Sequence, residues 1–149
     1  MATVAADTIA ELLSRGHSVR FVATGDSMYP LIRSDESLLV EPAEPDSIRR
    51  GDVVLSRTSR GLTAHRVIAI SRADSGLRFQ TRGDNAPGAD EPFGESELLG
   101  VVVGVERDGR MRERVRATGA RLKILRFITR ARAAISSRFS DDSAARGGR

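Results

Sequence analysis

The chain has 149 residues, of which 40% are hydrophobic and only 4% aromatic, so it can form one domain with a mainly aliphatic core. It has no cysteine and two histidines, which excludes disulfides, thiolate metal sites and a cysteine nucleophile and makes a histidine-rich metal centre unexpected. We therefore predict neither a metal nor another cofactor.

The net charge of +4 is unevenly distributed along the chain. Residues 118–149 carry eight basic and two acidic side chains, a sum of +6, which leaves 4 − 6 = −2 for residues 1–117. A mildly acidic body with a strongly basic end suggests an anionic partner for that end.

The N-terminal segment, residues 1–17, is predicted to be a helix followed by a short connector. Ile9 and Leu13 share one face of a helix over residues 5–15, and Gly16 suits the position after a helix. The segment carries acids and lacks the basic start of a secretory signal, and the chain contains no run of about 18 apolar residues. We expect neither a signal peptide nor a transmembrane helix, which leaves a cytoplasmic or a peripheral membrane location.

Residues 18–116 are predicted to form a β domain. Residues 18–24 alternate apolar and polar side chains, as half-buried strands do. Five further runs, bounded by turn residues, are predicted strands: 37–42, 51–57, 62–71, 77–83 and 98–107. Short strands at close spacing, with no helices between them, favour a compact β barrel or folded ribbon.

The C-terminal part, after the β domain, is predicted to be a basic helix and a disordered tail. Residues 117–139 form an amphipathic pattern with a basic face, and residues 140–149 are predicted to be disordered. The helix would either pack on the β domain or contact an anionic membrane surface peripherally. No nucleic-acid partner is expected, because no recognition motif or stacking aromatic accompanies the charge.

A lone hydroxyl, Ser27, stands in the sequence GDSMYP at residues 25–30. A serine becomes a nucleophile only when a base removes its proton. The single lysine, Lys123, lies in the predicted terminal helix, so the β domain cannot supply a Ser/Lys pair. His17 has the context of a solvated turn residue, whereas His65, on an apolar strand, is either a structural imidazole or the base.

The loop that follows the fifth predicted strand offers two acids, Asp84 and Asp90. Asp84 precedes Asn85 and suits a turn former, while Asp90 has less local reason to be acidic. A carboxylate that orients the imidazole would complete a Ser/His/Asp set, which forms only if the sheet folds back on itself.

Four motifs stand in order: GDSMYPLIRSDESLLVEP, RGDVVL, LTAHRVIAI and QTRGDNAPGAD. Over about residues 18–105 they resemble the signal peptidase I family, in particular its branch from the endoplasmic reticulum, archaea and some Gram-positive bacteria, where histidine replaces the base lysine. The spelling GDSM also resembles the self-cleaving domains of LexA-type repressors, which share the fold but use lysine. The resemblance implies a mainly β, compact, coiled antiparallel fold.

The resemblance also implies roles for the motif residues. Ser27 would be the nucleophile, His65 the general base, Asp90 its orienting acid, and Asp84 a second acid, structural or auxiliary. The substrate and oxyanion site would be formed by residues around the nucleophile: Gly25, Asp26, Met28 and Pro30.

The implied function is a serine endopeptidase that cleaves a peptide or protein after small residues through an acyl-enzyme. Two departures stand against it: Gly25 replaces a serine that helps hold the oxyanion in many members, and no membrane anchor is predicted. A non-catalytic peptide-binding module and a self-processing regulator of the LexA type are the alternatives.

Overall fold

The computed structural model describes residues 2–59 and 61–113, which form a mainly β structure with one N-terminal helix. The prediction of a mainly β fold with an N-terminal helix is thus confirmed. The predicted basic helix at 117–139 and the predicted tail at 140–149 lie outside the described residues. The elements are α1 (Ala2–Ser14), β1 (Val19–Val22), β2 (Ser37–Glu41), β3 (Val53–Thr58), β4 (Gly61–Ala73), β5 (Gly76–Arg82), β6 (Phe93–Gly94), β7 (Leu98–Arg107) and β8 (Arg110–Glu113).

Helix α1 ends where the sequence predicts. Gly16 has a φ of +84°, a conformation that glycine adopts without steric cost, and His17 N–H donates to Leu12 O at 3.0 Å to close the last turn. Leu13 is buried and Ile9 packs beside it, so the apolar face of α1 rests on the sheet.

In the described part of the chain, the strands form one eight-stranded antiparallel sheet. Its strands follow the order β1-β2-β7-β3-β4-β5-β6, and β8 pairs with β7. Register shifts interrupt the β2–β7, β3–β7 and β4–β5 pairs. Such bulges bend and twist strands, so they give the sheet its curl.

The curled sheet buries side chains on both of its faces. One apolar cluster includes Leu13 of α1, Met28 and Leu55, and the other includes Val54 and Phe79. Leu55 and Val54 are neighbours on β3, so this central strand contributes to both clusters, since successive side chains of a strand point to opposite faces.

The long strand β4 changes partners along its length. Gly61 to Arg66 pair with β3, whereas β5 begins to pair with β4 only at Arg66. The first half of β4 therefore has one edge without a β5 partner. Strand β1 at the end of the sheet order pairs only with β2 among the described residues, so a second open edge lies at the start of the domain.

Candidate active site

Ser27 lies in the loop that joins β1 to β2. Local hydrogen bonds shape this loop: Tyr29 N–H donates to Asp26 O, and the N–H groups of Leu31 and Ile32 donate to Met28 O, all at 3.0–3.1 Å. Met28 is buried at 4% exposure, which anchors the turn in the core.

The other residues predicted around the nucleophile lie in the same turn. Gly25 has a φ of +84°, which a side chain would strain, although a Cβ there would meet nothing within 4 Å. Asp26 is exposed, and Pro30 follows Tyr29 through a cis peptide bond. The loop therefore presents Ser27 from a tight turn rather than from a regular element.

His65, on the first half of β4, is bonded to Ser27. The two residues are joined by a hydrogen bond of 2.9 Å between His65 Nε2 and Ser27 Oγ. The His65 side chain is 12% exposed, so the ring is largely enclosed while its Nε2 meets the hydroxyl.

Asp90 bonds to the opposite nitrogen of the same ring. Its Oδ2 lies 2.6 Å from His65 Nδ1, and Thr81 Oγ1 at the end of β5 donates to the same oxygen at 2.8 Å. The main-chain N–H of Asp90 donates to Thr81 O at 2.8 Å, which ties the acid to β5. Two bonds to one β5 residue thus hold the carboxylate against the imidazole.

This chain of bonds fixes the proton positions on the ring. A carboxylate only accepts hydrogen bonds, so Nδ1 of His65 carries the proton, and Nε2 accepts from the Ser27 hydroxyl. An imidazole in that tautomer can remove the serine proton, and the adjacent Asp90 carboxylate stabilises the imidazolium that forms.

Asp84 lies outside this chain of bonds. Its two carboxylate oxygens accept from Arg66 Nε and Nη2 at 2.8 and 2.7 Å, and the two side chains are 4% and 0% exposed. Arg66 Nη1 also donates to Gly51 O at 2.7 Å. A buried charge pair with such bidentate geometry is a structural link between β4 and the loop after β5.

The segment 83–85 of that loop contacts the turn that carries Ser27 directly. A Cβ on Gly83 would lie 2.5 Å from Ser27 O, so only glycine permits this approach. Asn85 N–H donates to Ser27 O at 2.8 Å, and Asp84 N–H contacts Met28 Sδ at 3.4 Å. Sequence reasoning missed Gly83, Asn85 and Thr81 as site residues, since these contacts join segments far apart in the chain.

A second hydrogen-bond network fixes the end of the β1–β2 loop that leads into β2. The buried carboxylate of Glu36 accepts from Arg107 Nε and from Arg33 N–H, and Arg107 Nη2 donates to Leu31 O. Burial by itself would raise the pKa of Glu36, but the bonds and charges of Arg107 and Arg33 outweigh it, so the pKa is lowered. The hydrogen bond that Arg107 donates to Glu36 in turn raises the pKa of Arg107.

A groove of about 940 Å³ opens beside Ser27 and His65. Three elements form its walls: the start of α1, the β1 strand with its extension to Gly25, and the β3–β4 turn. Most of the lining side chains are small or apolar. The small ones include Ala5, Ala6, Ala23 and Ala64. The groove therefore leaves the Ser27 hydroxyl accessible beside His65.

Within residues 2–59 and 61–113 no group of three or more His, Cys, Asp or Glu residues could hold a metal ion. In the same part of the chain, no helix combines the length and the apolar character that crossing a membrane requires.

A hydroxyl bonded to an imidazole that is itself bonded to a carboxylate is the arrangement by which serine hydrolases activate their nucleophile. Here it stands at a groove in a curled antiparallel sheet. The family model described as Peptidase S24-like matches residues 4–103, about two thirds of the chain, and the chain belongs to this family. The comparison with curated proteins gave no match.

Proposed function

We propose that the protein is a serine endopeptidase of the signal-peptidase type, with Ser27 as nucleophile, His65 as general base and Asp90 as the acid that orients it. One observation carries this proposal: the continuous bonds Ser27 Oγ to His65 Nε2 and His65 Nδ1 to Asp90 Oδ2, at 2.9 and 2.6 Å. Family membership supports a peptidase in general, and the histidine base favours the signal-peptidase type over the lysine-dependent LexA type.

The reaction proceeds through an acyl-enzyme. His65 Nε2 takes the proton of Ser27 as Oγ attacks the substrate carbonyl, and the carbonyl oxygen becomes an oxyanion. The imidazolium then protonates the leaving amine as the peptide bond breaks. A water molecule, deprotonated by His65, attacks the ester, and Ser27 regains its proton when the acid product leaves.

The substrate binds as an extended strand. The groove is bordered by β1, whose outer edge has no strand partner among the described residues, and by the first half of β4, which β5 does not reach. Such edges offer main-chain hydrogen bonds to an added peptide. The apolar part of the lining suits apolar side chains of the bound peptide. The preference for small residues just before the cut is what the resemblance to signal peptidases implies.

The test is cleavage of leader-type peptides with alanine before the scissile bond by the purified protein. We expect turnover that Ser27→Ala and His65→Ala abolish and that Ser75→Ala, the same change at an exposed hairpin residue, leaves intact.

Two results would contradict the proposal. Peptide binding unchanged by Ser27→Ala, with no turnover at any pH, would identify a binding module instead. Wild-type protein that clips itself on incubation, seen by intact mass, while leaving added peptides uncut would identify a self-processing regulator.

A further inference from the structure

Asn85 bonds to both peptide units that flank Ser27. Its main-chain N–H donates to Ser27 O at 2.8 Å, and its side-chain Nδ2 donates to Asp26 O at 3.1 Å. These two carbonyls belong to the peptide units on either side of the Ser27 Cα. One residue of the loop after β5 therefore holds the backbone before and after the hydroxyl.

The bond to Asp26 O also fixes the direction of the Ser27 N–H. Asp26 C=O and Ser27 N–H belong to one trans peptide unit, in which the two groups point to opposite sides. Because Asn85 holds the carbonyl, the N–H points away from Asn85. Among the residues that the structure describes, that N–H donates to no acceptor, and Ser27 and Gly25 both line the groove.

We infer that Asn85 is a positioning residue that aims the Ser27 N–H at the oxyanion formed when Oγ attacks the substrate carbonyl. This inference rests on the proposed function. Asn85 does not touch the reacting atoms. It acts through the Asp26–Ser27 peptide, whose N–H must face the oxygen as negative charge develops there.

A hydrogen bond within the Ser27 turn also holds the Asp26–Ser27 peptide. Tyr29 N–H also donates to Asp26 O, at 3.1 Å, so loss of the Asn85 side chain loosens the peptide without releasing it. We expect a rate loss of about three- to tenfold, the range that one neutral hydrogen bond supports. This is less than the roughly 10²–10³-fold cost of losing a whole oxyanion donor. The loss falls on kcat and spares KM, because the oxyanion is absent from the bound substrate.

The experiment compares Asn85→Ala and Asn85→Asp with wild type. Both variants keep the main-chain bond to Ser27 O and remove the side-chain donor, and Asp adds a negative charge beside Asp26 O, so its effect should be larger. The control is Glu91→Ala, an exposed change in the same loop. Three quantities are measured: kcat and KM for a cleaved peptide, the rate at which an alkyl fluorophosphonate labels Ser27, and the crystal structures.

The expected result is lower kcat and slower labelling, unchanged KM and unfolding temperature, and a rotated or disordered Asp26–Ser27 peptide in the Asn85→Ala crystal. An unmoved peptide in that crystal, or a loss confined to KM, would overturn the inference. If wild type neither cleaves peptides nor reacts with the fluorophosphonate, the proposed function fails, and the peptide orientation in the Asn85→Ala crystal still decides whether Asn85 holds it.

Discussion

At the scale of single residues, two neighbours on β4 bind two different acids of one loop. His65 bonds to Asp90, whose side chain is 36% exposed, whereas Arg66 bonds to Asp84, which is 4% exposed. Adjacent strand residues point to opposite sides, so the imidazole faces the groove while the guanidinium enters the interior. The exposed acid thus suits the role in the reaction that we propose for it, and the buried acid suits a structural role.

Exchange of each acid for its amide separates these roles. Asp90→Asn keeps the shape but lets the amide donate to Nδ1, which favours the wrong tautomer, so kcat should fall by about 10³–10⁴-fold with little change in unfolding temperature. Asp84→Asn leaves the buried Arg66 charge unpaired and should cost about 3–5 kcal/mol of unfolding free energy. Peptide turnover and denaturant unfolding of both variants check the prediction.

The prediction is contradicted if Asp84→Asn lowers turnover and Asp90→Asn lowers the unfolding free energy. An Asp84→Asn variant of wild-type stability that has lost turnover would make Asp84 the acid that matters to the reaction. The sequence offered both acids without deciding between them, because the choice depends on which of them reaches His65 and which is neutralised by Arg66.

At the scale of elements, the loop after β5 packs against the turn that carries Ser27 and supports it. Three consecutive residues, Gly83, Asp84 and Asn85, contact the turn through close backbone approach, sulfur contact and hydrogen bonds. The loop also supplies Asp90. Its Gly-, Pro- and Asp-rich composition predicts a turn-rich connection but not this packing, which is made of long-range contacts that no local pattern encodes.

Gly83→Ala tests this support. The new Cβ would lie 2.5 Å from Ser27 O and 3.1 Å from Ser27 Cβ, so Ser27 and residue 83 must move apart, which changes the position of Ser27. A displacement of about 1 Å can cost 10²-fold in rate, and we expect a loss of kcat of that order. Gly88→Ala is the matched control, because a Cβ there meets nothing within 4 Å. Equal turnover in the two variants would contradict the role of Gly83.

The sequence predicts the longer strands well and the short ones poorly. Alternating or apolar runs located β1 through β5 and β7 to within a few residues. Strand β6 has two residues, too few to show any period, and β8 is highly charged, so neither was predicted. Both form because an existing strand offers an open edge, β5 for β6 and β7 for β8, which is a tertiary cause.

At the scale of the whole molecule, the Glu36–Arg107 network links the start of β2, the end of β7 and the β1–β2 loop. The pKa of Glu36 is lowered in the folded state. The stability that this ionised carboxylate contributes is therefore present above the ordinary glutamate pKa, about 4.5, and is lost as pH falls through the lower folded pKa.

Glu36→Gln should accordingly lower the unfolding free energy by about 1.5–3 kcal/mol at neutral pH, the range for a hydrogen bond to a charged group. The difference from wild type should shrink as the pH falls below 4.5 and through the lowered pKa of the wild-type carboxylate, because the protonated carboxyl no longer carries the charge. Denaturant unfolding at several pH values measures it. A difference that stays constant from neutral to acid pH would contradict the role of the Glu36 charge.

For the candidate site as a whole, the sequence predicts which residues take part and their order along the chain, but not their arrangement in space. The motifs named Ser27, His65 and Asp90, but their meeting depends on bulges that curl the sheet and on a long β4 that exchanges partners midway. Register and curvature come from the packing of several strands at once, so no single segment of the sequence specifies them.

The separation of Ser27, His65 and Asp90 along the chain has a consequence for biosynthesis. The segment that carries the hydroxyl leaves the ribosome long before the one that carries Asp90, and Thr81 and Asn85 also come late. A nascent chain thus holds an unactivated alcohol until the hairpin after His65 has been translated and docked. Under the proposed function, hydrolytic activity arrives only with the complete fold, which spares an unfinished polypeptide and its neighbours from premature cutting.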